Sequence, residues 1–506
     1  MKNRKGLVSG KQLRIARPLG IALGLLLACL GFASAQTWEA APPFPGSGAG
    51  TAILTTTGDI LVQELTGPGA YGGYGTGNWY VLHPDSSGSY STGFWGGPTS
   101  TPVGYAPQFF GSAVLPGGRV LIEGGEYNGP PPAVDTNQGA IFDPIGGTFV
   151  TSVNPPSGWS AIGDAPTVVL PNKTFMMGDC CSTKQALFDA QTLTWTSTGT
   201  GKLDNNSEEG WTLLPNGKVL AIDTQNGLVA ELYNPAKGSW SKTGSLKFPG
   251  LSYNCGLKIV PELGPAVLRP DGTVFATGAN GYTEIYNSKT GKWSLGPIFP
   301  PNSAGLGQDG VVDGPAALLT DGNVLVMASN INPCFVPPSD FFEFDGTSLI
   351  SVPGPPNAPN EVSFDGRMLE LPTGHILFTD GTQDVEIYRP SGIANGSWAP
   401  QITSWPKTIT KGHTYTIKGT QFNGLSQGAA YGDDAQMATN FPLVQISIGG
   451  FSYYLPTKNF STMGVATGTK TVTAQFDLPF SIGKGAATIV VQVNGITSNK
   501  VSLTVK

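Results

Sequence analysis

The sequence predicts an all-β fold: a seven-bladed β-propeller built from one repeated four-stranded unit, followed by a C-terminal β-sandwich. Three observations predict it. A hairpin signature recurs along residues 55–381, a second motif recurs in phase with it, and near residue 398 both give way to short alternating strands. Composition agrees, because 71 Gly and 42 Pro supply turns and no long segment carries the 3.6-residue apolar period of a helix.

The N-terminus reads as a secretory leader. Lys2, Arg4, Lys5, Lys11, Arg14 and Arg17 precede the apolar run LGIALGLLLACLGF (19–32), and Ala33-Ser34-Ala35 is a small-residue cleavage signal before Gln36. A lipoprotein box at Leu27-Ala28-Cys29 is the rival, but apolar residues continue past Cys29. The expected mature chain is secreted, periplasmic or on the cell surface, with no membrane span. Loss of residues 1–35 removes six cations and no acid, so the formal charge falls from −6 to about −12. That argues against nucleic acid or an anionic surface as partner.

The propeller is expected over 36–398. VLPGGRVLIEGG (114–125), VLPNKTFMMGD (169–179), LLPNGKVLAID (213–223), LRPDGTVFATG (268–278), LLTDGNVLVMA (318–328) and ELPTGHILFTDG (370–381) share one pattern, and TTTGDILVQE (55–64) is a degraded copy. Each reads strand, two-residue Gly-type turn, strand. An apolar-aromatic pair follows each hairpin, with a large residue about seven positions later, as in LFDAQTLTW (187–195), LYNPAKGSW (232–240) and IYNSKTGKW (285–293). Four strands per unit at roughly fifty residues is the spacing of kelch-type propeller blades. From 401 to 506, TYTIKGTQF, LVQISIGG, TVTAQFDL, ATIVVQVNG and VSLTVK predict an immunoglobulin-like sandwich interrupted by one long loop at 423–440.

Four cysteines follow the leader: Cys180, Cys181, Cys255 and Cys334. Outside the cytosol an even count predicts at least one disulfide, with connectivity open and a vicinal Cys180–Cys181 bridge among the alternatives.

The chemistry centres on acids. With the turn proline (or the aligned threonine) as ruler, the residue seven places earlier begins each inner strand. It is Asp164, Glu208, Asp313 and Asp365 in four units, with Glu209 beside Glu208, and Ala49, Phe109 and Leu263 in the others. In a propeller these strand ends surround one mouth of the central channel. Four acids there form a candidate site for a polar ligand or a hard cation, with Ca²⁺ the ion that suits carboxylate oxygens. The bland alternative is that they hydrate the mouth or bind backbone N–H groups. A glycosidase-type carboxylate pair is a third reading, and it needs a separation that sequence does not supply.

Leader, seven kelch-type units and C-terminal sandwich together resemble the galactose oxidase and glyoxal oxidase family across nearly the whole chain. GTQFNGLSQGAAYGDDAQMATNFPLV (419–444) and STMGVATG (461–468) are similar to the C-terminal domain of its bacterial and plant relatives. The resemblance implies one copper held by two tyrosines and two histidines, one tyrosine being cross-linked to a cysteine. The residues depart from that pattern. The family's Tyr-His pair matches Phe364-Asp365, its C-terminal histidine matches Phe460, and its first radical tyrosine falls near Phe109 or Phe110. His83, His375 and His413 are the only histidines, and none matches a ligand position. Copper is therefore not expected, nor any other cofactor unless Ca²⁺ binds at the mouth. The expected function is a non-enzymatic exported propeller that binds a carbohydrate or surface polymer, using the acidic mouth and aromatic loops such as 68–80. The alternative is a galactose oxidase-like oxidoreductase with altered metal ligands.

Overall fold

The computed structural model describes residues 36–67, 73–132, 134–248, 251, 253–255, 258–260, 262–432 and 437–506. The signal-peptide expectation for 1–35 and residues 68–72 of the aromatic loop at 68–80 lie outside them.

Hydrophobic strands bounded by turn residues pair locally, and between residues 37 and 389 they build seven antiparallel sheets of successive strands. Their innermost strands are Gly48–Leu54, Gly111–Val114, Thr167–Val169, Trp211–Leu213, Leu263–Leu268, Ala316–Leu318 and Arg367–Glu370. From Gly111–Val114 onward each inner strand touches the next, and the last touches Gly48–Leu54, so the sheets stand around an axis. This is the all-β propeller.

Every repeated hairpin turn has one geometry, and it differs from the two-residue turn expected. Leu371 N–H bonds to the His375 carbonyl at 2.8 Å while Gly374 N–H bonds back to the Leu371 carbonyl at 2.9 Å. Three residues therefore form the loop, a type I turn closed by a left-handed residue. Proline at the second position pre-sets φ for such a turn, which explains its recurrence. Gly58, Gly118, Gly217, Gly272, Gly322 and Gly374 take the left-handed position, and in the third copy Lys173 does so at φ 77°.

The second motif also acquires a physical meaning. Phe142 and Phe149, Phe188 and Trp195, Tyr233 and Trp240, and Tyr286 and Trp293 are directly opposed across the two outer strands of their sheets. Their ring centroids lie 4.9–5.4 Å apart. Such pairs add about 0.5–1.5 kcal/mol beyond the area they bury.

Thr37–Ala40 carries no hairpin signal, yet it pairs antiparallel with Glu386–Arg389. The beginning of the described chain thus completes the last sheet and clasps the ring without a covalent bond. Trp38 secures it against Phe341 and Tyr388, at 5.4 and 5.1 Å between centroids.

Residues 401–505 form two further antiparallel-rich sheets, one built on Thr414–Thr420 and Val472–Asp477, the other on Leu443–Ile448, Gly485–Val493 and Val501–Val505. Val501–Val505 alternates buried and exposed residues at the strand period of two. The loop at 423–440 does not stay with those sheets. Its Ala429–Ala430 adds a strand to the inner edge of the sixth sheet, opposite Ala317 and Ala316. Gln427 Oε1 accepts the Leu213 N–H at 2.8 Å, and Thr439 Oγ1 and Asn494 Nδ2 donate to Glu370 Oε2 at 2.9 and 3.0 Å. Burial pushes the Glu370 carboxyl up to about 7. The loop is bound to three inner strands and closes over the propeller axis.

Candidate functional site

The turn ruler finds a real structural position. Phe109, Glu208 and Asp313 share left-handed backbone, φ 50°, 55° and 51°, immediately before their inner strands. An L-residue pays about 1–2 kcal/mol there. A phenylalanine shares it, so the conformation does not depend on an acid, but Ala49, Asp164, Leu263 and Asp365 at the same count do not adopt it.

The four predicted acids are not gathered at one point. Glu208 and Asp313 converge with Glu262, and one carboxylate oxygen from each lies within 4.8 Å of the others. Asp164 is buried beside Cys180, whose thiol is raised by its own burial first and then by that carboxylate. Asp365 sits in a short 3₁₀ turn, where its Oδ2 accepts the Val362 N–H at 3.4 Å. Glu209 turns away from its neighbour Glu208 into a solvent-free cluster with Lys202 and Glu231.

Glu262 escaped the sequence reading because the ruler lands on Leu263. The pairing register shifts between Leu263 and Ala266, so in that unit a count of seven stops one residue late. The acid adjoining the aligned leucine was the available signal. Two bound oxygens around Ca²⁺ can stand no more than about 5 Å apart when each Ca–O distance is about 2.3–2.6 Å. The Glu208–Glu262–Asp313 spacing therefore suits a hard cation.

Beside this triad lies a narrow cleft lined by Thr51, Gln63, Gln108, Phe109, Phe364, Asp365 and Arg367. Tyr431, from the inserted loop, separates the two. Its hydroxyl donates to the Phe364 carbonyl at 2.8 Å, and the next residue, Gly432, has its Cα hydrogen against Asp313, since a Cβ there would meet Asp313 Oδ1 at 2.3 Å. The Arg367 guanidinium lies 3.8 Å from the Tyr431 ring centroid and 5.2 Å from that of Phe109.

This donor set does not fit the copper of the oxidases. Phe109 and Phe364 offer no ligand atom, and Arg367 adds a fixed positive charge to the same cleft, where a copper ion would call for oxygens and imidazoles. Phe460, matched in sequence to the family's C-terminal histidine, is buried against Phe441. Among the described residues, Tyr431 of the 423–440 loop packs on Arg367 and bonds the Phe364 carbonyl at the cleft. His83 pairs with Asp59 at 2.7 Å, while His375 lies at a hairpin exit.

No family model matches the sequence, and no curated protein does. Solved structures do resemble it. A fungal alcohol oxidase of the AA5 family, in complex with copper, is 13% identical and superposes with a TM-score of 0.51, covering 94% of this chain and 100% of that one. A streptogramin B lyase is 10% identical at a TM-score of 0.46, over 70% and 97% of the two chains. The WD40 β-propeller domain of Doa1 is 10% identical at 0.43, over 70% and 97%. At these identities the likeness establishes the propeller fold alone.

Proposed function

We propose that the chain is an exported, non-enzymatic propeller that binds an oxygen-rich ligand, a carbohydrate or surface polymer, at the mouth closed by the 423–440 loop. A hard cation held by Glu208, Glu262 and Asp313 anchors it. The observation that carries this reading is the convergence of three carboxylates from adjoining units to within 4.8 Å. Mutual repulsion among such acids is relieved by a multivalent cation, and Ca²⁺ takes six to eight oxygens in irregular geometry. Three carboxylates leave coordination positions that sugar hydroxyls fill. Softer metals prefer the imidazole or thiolate ligands that this triad lacks. An oxidoreductase with altered ligands has the fold likeness behind it and no observation at the mouth.

Metal analysis and thermal unfolding of the mature protein test the proposal. One Ca²⁺ per chain and a saturable rise in Tm are expected, because an ion that binds only the folded state stabilises it by mass action. No calcium-dependent rise overturns it, as does peroxide production from a sugar alcohol with one tight copper per chain.

A further inference from the structure

We infer that the cleft at Arg367 is a carboxylate-binding subsite, and that the ligand class it selects is a sugar acid.

Arg367 is 7% exposed, and among the described residues its guanidinium forms no ion pair. Nη1 donates to the carbonyls of Phe364 and Gly366 at 2.6 and 2.9 Å. The ring faces of Tyr431 and Phe109 cover the group, and Nε has no hydrogen-bond partner. A buried cation with no carboxylate in direct contact is costly, and aromatic faces and two carbonyls offset only part of that cost. Arginine's planar fork recognises carboxylates in particular.

Two further groups on the same cleft are built for a ligand. Gln108 is 6% and Thr51 4% exposed. Both line the cleft, and neither side chain makes a hydrogen bond among the described residues. Arg367 Nε is a buried donor without a partner, which is rare. The side-chain polar atoms of Gln108 and Thr51, bonded to nothing in the described chain, stay open to a molecule that enters the cleft.

The wall also selects what the carboxylate is attached to. Asp365 stands on the same cleft, and its charge repels a second carboxylate but accepts a hydroxyl proton. Gln108 and Thr51 each donate and accept. A ligand with one carboxylate and adjacent hydroxyls satisfies the set, which describes a uronic acid better than a fatty acid or a dicarboxylate. The enclosed room is about 20 Å³, that of roughly one water. The cleft therefore admits only the edge of the ligand, a carboxylate oxygen with its neighbouring hydroxyl at the opening, and the rest of the sugar ring lies outside it. The inference shares that location with the proposed function but does not require the cation.

Glucuronate, glucose and acetate, titrated into the mature protein in EDTA, test it by calorimetry and by Tm. Glucuronate is expected to bind saturably and raise Tm, acetate to compete weakly, and glucose to do neither. Arg367→Lys, which keeps the charge but loses the fork, should weaken glucuronate binding about tenfold or more. Asp365→Asn should weaken glucuronate but not acetate. If Arg367→Lys does not fold, Thr51→Val and Gln108→Ala decide, each expected to weaken binding severalfold. No saturable glucuronate binding by the wild type overturns the inference. So does undiminished binding by Arg367→Lys, or by both of the other variants. Calcium binding is scored separately on Glu262→Gln, so loss of the cation site leaves this result readable.

Discussion

Lys202 and Glu209 meet at 3.0 Å with neither side chain exposed, and Glu231 closes on the same ammonium at 2.8 Å. Asp223 stands 3.7 Å away, also without exposure. One cation thus serves three buried carboxylates. Glu231 carries a second duty, accepting the Leu203 N–H at 3.1–3.2 Å, so the cluster pins the segment that enters the fourth sheet.

Lys202→Met should therefore cost about 3–5 kcal/mol, because it leaves buried carboxylates without a counter-charge. Burial pushes Glu209 up to about 8 and Asp223 up to about 7. For an acid with a raised folded-state pKa, the stabilising contribution is full below the ordinary value of 4.5 and is lost as pH rises through the raised one. The Lys202→Met penalty should be larger at pH 8 than at pH 5, as urea denaturation at both values will show. A penalty independent of pH would refute the account.

Lys173 is the one repeat turn residue with a side chain in the left-handed position, at φ 77°. It is exposed, so little packing opposes its replacement. Lys173→Gly removes the Cβ clash and should stabilise the protein by about 0.5–1 kcal/mol after the entropic cost of glycine. A denaturation midpoint that stays put or falls contradicts this.

The all-β propeller was readable because its turns and cross-strand aromatic pairs repeat in sequence at the same offsets at which they act in space. The Thr37–Ala40 clasp was not, since a lone four-residue strand has no periodicity and its partner lies some 350 residues away. Of the candidate site, Glu208 and Asp313 were found because the repeat itself places them. Glu262 was lost to a local register shift. Arg367 and Tyr431 were overlooked because their environment is made by two segments distant in sequence. Acids just before the aromatic pairs were missed as well: Glu284 accepts the Lys247 and Phe248 N–H groups at 2.8–3.0 Å, as Glu231 does for Leu203. In sequence they look like polar residues on a strand, yet they secure each incoming segment.

Cys180 and Cys181 are free, with Sγ atoms 2.6 Å apart. Burial keeps the Cys180 thiol well above its ordinary pKa, so it stays protonated and slow to react. Cys334 stands apart from these free thiols, and Cys255 is its proposed disulfide partner. Chain-entropy arguments assign a loop of that length about 4 kcal/mol. Alkylation without reductant should label two thiols, Cys181 faster than Cys180, and reduction should add two more. Four labelled thiols in the unreduced exported protein would exclude the bridge.

The acids at the mouth separate by position. Glu262→Gln and Asp313→Asn each remove one charge from the converging triad while keeping side-chain size, so each should cut the calcium-dependent rise in Tm by more than half, and the double variant should abolish it. Asp164→Asn and Asp365→Asn lie outside the triad and should retain the rise. The same pattern separates a bound ion from general screening of an acidic rim, because screening responds to total charge and would treat all four substitutions alike. Magnesium supplies a second discriminant. It demands near-octahedral geometry at shorter distances and releases water reluctantly, so a half-buried triad with oxygens spread over 4.8 Å should give a smaller shift with Mg²⁺ than with Ca²⁺. Equal shifts for both ions, or equal losses across the four variants, would show that the mouth is an acidic surface and not a coordination site.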